Sequence, residues 1–365
     1  MKYLKLLFIF FLLFSCSAKH DFIEVESGKS EIKYAKNLEI HHKGKDLLIH
    51  ILNPENHQIE RRFFIQKNNK SLIPKGYILL NHPIKSIVAL SSTQIGMLQK
   101  LKSTSLVVGI SNHLYVHDSI ILKKYRDGKV IEMGEESSIP VESIISSKAQ
   151  VLMYSGFGKS FPHEEQLEKF GTHCIMNYDW KEVHPLGKAE WIKLFGCLVG
   201  KEKEAKLYFK KIEKEYNKLK KLALKAKNKP SIFSGNLVGD IWFSPAGESY
   251  NAILFKDAQS NYVYKNSLGT GSVEKSFEQT LIDNKTTDFW FNPGVVTKKE
   301  LLEFQPKFVH FKAVEMNKVY SYSYSGNEFW ERSCIEPHHV LSDLIQILHP
   351  ELRIKKKYYF YRKLN

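Results

Sequence analysis

His113 and His117, four residues apart, and the adjacent pair His338 and His339 are residues whose type and spacing could do chemistry. A separation of four can place two imidazoles on one helical face, an arrangement from which zinc or manganese sites are built. Such a site needs three or four converging donors, and no acidic partner stands at a matching place in the second half of the chain. Surface or capping roles are expected for these histidines, and no metal ion held by the protein itself. Catalytic signatures are also missing. There is no Gly-x-Ser-x-Gly elbow and no His-Glu-x-x-His. The run Gly269-Thr270-Gly271-Ser272 follows no strand directly and has no lysine after its second glycine, so it reads as a loop. The chain reads as a non-enzyme without a cofactor; a secreted hydrolase with a dispersed site is the catalytic alternative.

The remaining chemistry is that of thiols and aromatic rings. Cys16 ends a segment in which Lys2 and Lys5 precede an apolar run from Leu6 to Phe14. That run is shorter than the ~20 residues a lasting membrane span requires and has the layout of a secretion signal. Leu13-Phe14-Ser15-Cys16 resembles a bacterial lipobox, which implies lipidation of Cys16 and a membrane anchor. Cys174, Cys197 and Cys334 cannot all pair within one chain, and their spacing matches no metal motif, so buried free thiols are expected. The formal charge of +15 is concentrated in lysine-rich stretches around 201–229 and 353–363, read as a solvated helix face and an exposed end. Export argues against a nucleic-acid partner, and a basic envelope favours anionic ligands.

The elements that must position these residues fall into three groups. Residues 16–80 read as a tether and a small β appendage, with alternating strands around 47–52 and 62–65 on either side of an Asn-Pro turn. Short apolar strands at 86–90, 106–110, 130–133, 150–154 and 173–177 alternate with helices at 94–101, 119–125, 141–147 and 164–170. This is the pattern of a buried, mainly parallel sheet. Residues 81–187 therefore form one α/β lobe. From 188 to 227 apolar residues recur at helical spacing, which predicts one long bridging helix. Residues 228–350 return to alternation, with strands expected at 231–234, 262–264, 288–291 and 308–311 and helices at 250–257, 277–284, 298–303 and 337–348, and form a second α/β lobe. Residues 351–365 read as a basic tail.

In open α/β sheets ligands bind beyond the carboxyl ends of the strands. Those ends offer Ser92, Thr93, Tyr115, Tyr154, Phe157, Tyr178 and Trp180 in the first lobe. The second offers Asn236, Trp242, Phe243, Asn292, Tyr322, Tyr324 and Trp330, with Arg332 as a partner for an anion or a brace of the lobe. Aromatic faces with a few polar groups suit a small-molecule cleft.

Over roughly 80–350 the chain resembles the ABC-importer solute-binding proteins for iron-siderophore complexes, haem and cobalamin. The resemblance rests on Ser91-Ser92-Thr93 after the opening strand and on Pro140-Val141-Glu142-Ser143-Ile144-Ile145. It extends to the run from His184 to Ile192, to Trp242-Phe243-Ser244-Pro245-Ala246-Gly247, and to Phe329-Trp330-Glu331-Arg332. It implies a monomer that captures a metal chelate between two lobes, a siderophore-type iron chelate first, with cobalamin, haem or a bare zinc or manganese ion as alternatives. Delivery would be to a permease dimer at the membrane. Glu142 and Glu278 each start a helix that feeds a strand, one per lobe. Acids favour helix starts through the dipole, and the resemblance implies that these two dock into arginine pockets of the permease.

Overall fold

The computed structural model describes residues 28–68, 71–156, 160–323, 326–354 and 357–365. Cys16 and the secretion-type segment lie outside them. The fold is α/β, with two lobes built on mainly parallel sheets, a long helix and an N-terminal β region.

The N-terminal sheet contains β1 (Leu38–Lys43), β2 (Asp46–Leu52), β3 (Ile59–Ile65) and β4 (Ile78–Leu80). The first three are antiparallel, while β4 joins β3 in parallel. This sheet is less of an appendage than its sequence suggests. One face, carrying Leu38, Ile40, Ile49, Phe63 and Ile65, belongs to the main core. The irregular segment leading into β1 is fixed by two buried carboxylates. Glu190 accepts the backbone N–H groups of Lys33, Tyr34 and Ala35, and Glu182 those of Lys36 and Asn37. Lys193 pairs with Glu190 at 2.6 Å, which supplies the counter-charge such burial demands.

The first lobe holds a five-stranded parallel sheet made of β5 (Ile87–Ala89), β6 (Val107–Ile110), β7 (Ile131–Glu132), β8 (Val151–Tyr154) and β9 (His173–Met176). Its spatial order is β7-β6-β5-β8-β9. Helices α1 (Ser92–Lys100), α2 (Ser119–Arg126), α3 (Val141–Ser147) and α4 (Glu164–Lys169) connect the strands. Ser91 and Gln94 form a capping box at the start of α1, so the carboxyl end of β5 runs directly into a helix N-terminus.

The segment expected as one helix from 188 to 227 is three: α5 (Pro185–Glu190), α6 (Ile192–Val199) and α7 (Glu202–Ala223). Gly200, at φ +72°, takes the left-handed conformation that closes α6. Gly196 then lets α6 lie close against Ala205 of α7. Apolar periodicity runs through both helices because both bury a face, and so it hides the turn between them. The 22-residue α7 alone is the long element, about 33 Å at 1.5 Å per residue. It buries Ala205, Phe209, Ile212 and Tyr216 and turns its lysines to solvent.

The second lobe contains β10 (Ser231–Ser234), β11 (Asn236–Val238), β12 (Ile241–Pro245), β13 (Asn261–Tyr262), β14 (Ser272–Ser276), β15 (Phe289–Phe291), β16 (Val319–Ser321) and β17 (Arg362–Lys363). The main sheet runs β13-β10-β15-β16-β17, parallel except for β17, and β11-β12-β14 form a small antiparallel sheet beside it. Its helices are α8 (Tyr250–Asp257), α9 (Phe277–Asn284), α10 (Lys298–Phe304), α11 (Lys312–Glu315), α12 (Gly326–Arg332) and α13 (Pro337–Leu348). The strand expected at 308–311 is instead a short 3-10 turn, Pro306–His310, with Phe308 and Phe311 packed against Trp290. The basic tail is also not an exposed end. Asp343 accepts the N–H groups of Tyr359, Phe360 and Tyr361, Phe360 and Tyr361 are buried, and β17 closes the sheet. Its lysines conceal an aromatic anchor.

Candidate functional site

The strand-end rule leads to a cleft of about 430 Å³ in the second lobe, where β10 ends in Ser234 and Asn292 follows the last residue of β15. The antiparallel sheet folds over this edge and contributes Asn236, Phe243, Ser244 and Ser272. The start of α8 adds Ser249 and Tyr250, the loop before β14 adds Thr270 and Gly271, and the turn after β16 adds Tyr322 and Ser323. Local hydrogen bonds fix the floor: the Ser244 hydroxyl donates to the Ser234 carbonyl at 2.8 Å, and Asn292 Nδ2 donates to the Ser234 hydroxyl at 3.2 Å. Asn292 adopts a left-handed backbone, φ +63°, which aims its amide into the cleft's edge. Among the described residues every side chain in this lining is neutral: hydroxyls, amides and aromatic faces, with no carboxylate, thiol, imidazole or ammonium.

The two lobes meet beside this cleft. The Lys188 ammonium sits 5.3 Å from the ring centre of Tyr250. It also acts on Asp179, a buried carboxyl at the end of β9 that Thr93 hydrogen-bonds. Burial pushes Asp179 up from the usual carboxylate range and Lys188 pulls it back. One of its oxygens has no hydrogen-bond partner among the described residues. Ser92 donates to the Tyr115 carbonyl, and Asn327 at the start of α12 donates to the Leu114 carbonyl. Tyr115 and Trp330 are each about half exposed there, at 54% and 51%. Trp330 stands edge-on to Tyr322, 5.5 Å between centroids, and Phe329 stacks flat on the same ring at 3.9 Å. Trp180 is anchored by its indole N–H on the Ser155 carbonyl and is otherwise partly open.

The expected site residues thus divide. Phe243 lines the cleft and Trp330 packs on its wall; Ser92, Thr93, Tyr115 and Trp180 stand at the strand ends of the first lobe. Trp242 does not belong. Neighbouring strand residues face opposite ways, so with Phe243 in the cleft Trp242 lies fully buried among Phe233, Trp290 and Phe308. Tyr154 is core as well: its hydroxyl accepts from the Phe161 N–H and its ring packs on Phe161. Arg332 is a brace, bound to Glu328 and Glu336 and lying over Phe360. Phe157 and Tyr324 lie outside the described residues. The histidine pairs are occupied locally. His113 contacts Glu132 and stacks on Tyr125, His117 is exposed, His338 is buried, and His339 stacks on Tyr359. Cys174, Cys197 and Cys334 are buried free thiols. The loop 269–272, read as mere connection, supplies part of the lining.

A neutral cleft at strand ends, in a molecule of two α/β lobes, is the architecture of a small-molecule-binding protein. The chain belongs to the periplasmic binding protein family, whose model matches residues 87–324. It is 27% identical to an uncharacterized lipoprotein of Methanocaldococcus jannaschii over 92% of this chain and 85% of that protein. It shares its fold with the periplasmic heme binding protein HutB of Vibrio cholerae (TM-score 0.60, 12% identity, 73% of this chain and 99% of that one). A possible iron-binding periplasmic solute-binding protein of Staphylococcus epidermidis is similar too (TM-score 0.55, 17% identity, 73% and 99%). The matched family and the two solved neighbours are binding proteins rather than enzymes. Among the described residues no helix is long and apolar enough to cross a membrane.

Proposed function

We propose that this chain is the receptor of an ABC importer for a metal that arrives already chelated, an iron–siderophore-type complex. One observation carries the reading: the lining joins hydroxyls and amides with aromatic faces and, among the described residues, offers a bare zinc- or manganese-type ion no imidazole, thiolate or carboxylate. A coordinatively complete chelate needs no protein ligand, only shape, stacking and hydrogen bonds. The net positive charge, with Lys188 beneath Tyr250, favours a chelate of negative charge. We assign the lipid anchor to Cys16 and permease docking to Glu142 and Glu278, with the receptor acting as a monomer.

Intrinsic tryptophan fluorescence tests the ligand class, since Trp330 packs on Tyr322 of the cleft wall. Saturable quenching by a ferric hydroxamate or catecholate complex is expected, with Phe243→Ala weakening affinity about tenfold, which corresponds to about 1.4 kcal/mol. Haem, cobalamin, Mn²⁺ and Zn²⁺ form the other arms. Tight binding of bare metal that Phe243→Ala abolishes, with no response to any chelate, would overturn the reading.

A further inference from the structure

The N-terminal sheet lies outside the region matched by the family model and carries a cluster that the cleft does not use. On one face of β1 stand Glu39 and His41, two residues apart, and the register places His50 of β2 directly opposite Glu39. Residues i and i+2 on one strand, with a cross-strand partner, converge on a single face of a sheet. His41 Nε2 and His50 Nδ1 each approach the same Glu39 oxygen, Oε2, at 3.1 Å, and the three atoms lie within 4.8 Å of one another. Both imidazole side chains are nearly out of solvent, at 11% and 8% exposure. Donors placed tetrahedrally at the usual zinc distances of about 2.0–2.1 Å stand about 3.3 Å apart.

The outer contacts orient the rings. His41 Nδ1 lies 2.7 Å from the Gly28 carbonyl, and His50 Nε2 lies 2.7 Å from the Tyr77 hydroxyl. A carbonyl can only accept, so the proton of a neutral His41 belongs on Nδ1, leaving Nε2 to present a lone pair to a carboxylate oxygen. Two acceptors at 3.1 Å require a cation between them or a second proton on the ring. Metal-bound histidines are held in this way, with the outer nitrogen donating to a carbonyl or similar group. Arg62, His50's register partner on β3, is the nearby positive charge that opposes a cation and moderates affinity. We propose that Glu39, His41 and His50 form a binding site for a late first-row divalent cation of the zinc type, with a fourth position left to water or an anion. Such an ion clips β1 to β2 and is separate from the chelate cargo.

The test uses the untagged mature protein, freed of metal by a chelator and titrated calorimetrically with Zn²⁺, with Co²⁺ as a spectroscopic probe. One equivalent of Zn²⁺ at micromolar concentration is expected, together with visible Co²⁺ bands of a low-coordinate nitrogen-ligated ion that Zn²⁺ displaces. Glu39→Gln should weaken Zn²⁺ more than about tenfold, and His41→Gln/His50→Gln should lose the equivalent. Neither should change chelate affinity at the cleft, which separates this result from the fate of the cargo reading. The proposal fails if the wild type takes up no Zn²⁺ or Co²⁺, or if a folded double variant retains the full equivalent. Should the double variant not fold, an unchanged Zn²⁺ affinity in Glu39→Gln is equally fatal.

Discussion

Glu331 shows how much one buried side chain can decide. Its carboxylate accepts the backbone N–H groups of His117 and Asp118, tying α12 of the second lobe to the first-lobe loop before α2. Burial raises its pKa to about 7, with Asp118 and Glu328 pushing the same way against those two hydrogen bonds. An acid raised in the folded state holds its proton between pH 4.5 and 7 while the unfolded chain has released it. The folded protein then binds more protons, and stability declines as pH rises through that window. At 1.36 kcal/mol per pKa unit the decline is on the order of 3 kcal/mol. Glu331→Gln should flatten this part of the profile; thermal melting from pH 4.5 to 8 checks it, and an unchanged slope would refute the assignment. The motif Phe329-Trp330-Glu331-Arg332 does not reveal the raised pKa of Glu331, because desolvation depends on what packs around a group. Phe243 and Trp242 make the same point. The strand ends were legible, whereas which of two neighbouring aromatics faced the ligand depended on a register set by β11 and β14.

At the scale of elements, the parallel strands and the helices with strong start signals could be read directly. The helices at 141–147, 250–257, 277–284 and 337–348 fall where they were expected, since Pro140, Ser249, Ser276 and Pro337 mark their starts. The small antiparallel sheet and β17 could not, because their short strands alternate weakly and take their partners from distant sequence. The repeated helix–strand element is the most informative part. Helix α3 feeds β8, which pairs with the first strand of its lobe, and α9 feeds β15, which pairs likewise with β10. Glu142 and Glu278 occupy the same second position of these helices, and both are exposed. Neither carboxylate makes a hydrogen bond or ion pair among the described residues. Two free carboxylates at equivalent points suit charge-assisted contacts with arginines of a two-fold permease. Glu142→Lys/Glu278→Lys should abolish transport in cells while leaving chelate affinity within about twofold, as surface changes usually do. Weakened ligand binding, or uptake that persists, would remove the docking role.

For the whole molecule, the joint between lobes matters more than either lobe alone. The sequence points to a single helical spacer; the structure has a broader seam. Helix α12 crosses back onto the first lobe, so closely that a Cβ at Gly96 of α1 would lie 1.7 Å from the Glu331 carbonyl oxygen. Lys100 pairs with Glu336 across the seam at 2.9 Å, and the main core runs continuously from Val88 and Leu98 through Phe209 and Tyr216 to Phe291 and Leu344. Wide opening would break buried hydrogen bonds at Glu331, leaving donors unsatisfied at about 1–3 kcal/mol each, and would part a packed core. The described lining of the cleft belongs to the second lobe alone, so ligand contacts there do not differ between an open and a closed seam and drive no closure. Free and chelate-saturated protein should therefore differ in radius of gyration by well under ~1 Å, against a value near ~20 Å for a compact chain of this length. Paired small-angle scattering profiles check this. A compaction of several ångströms would mean that the α1–α12 seam opens in the free protein and that capture is a hinge closure, not the filling of a preformed cleft.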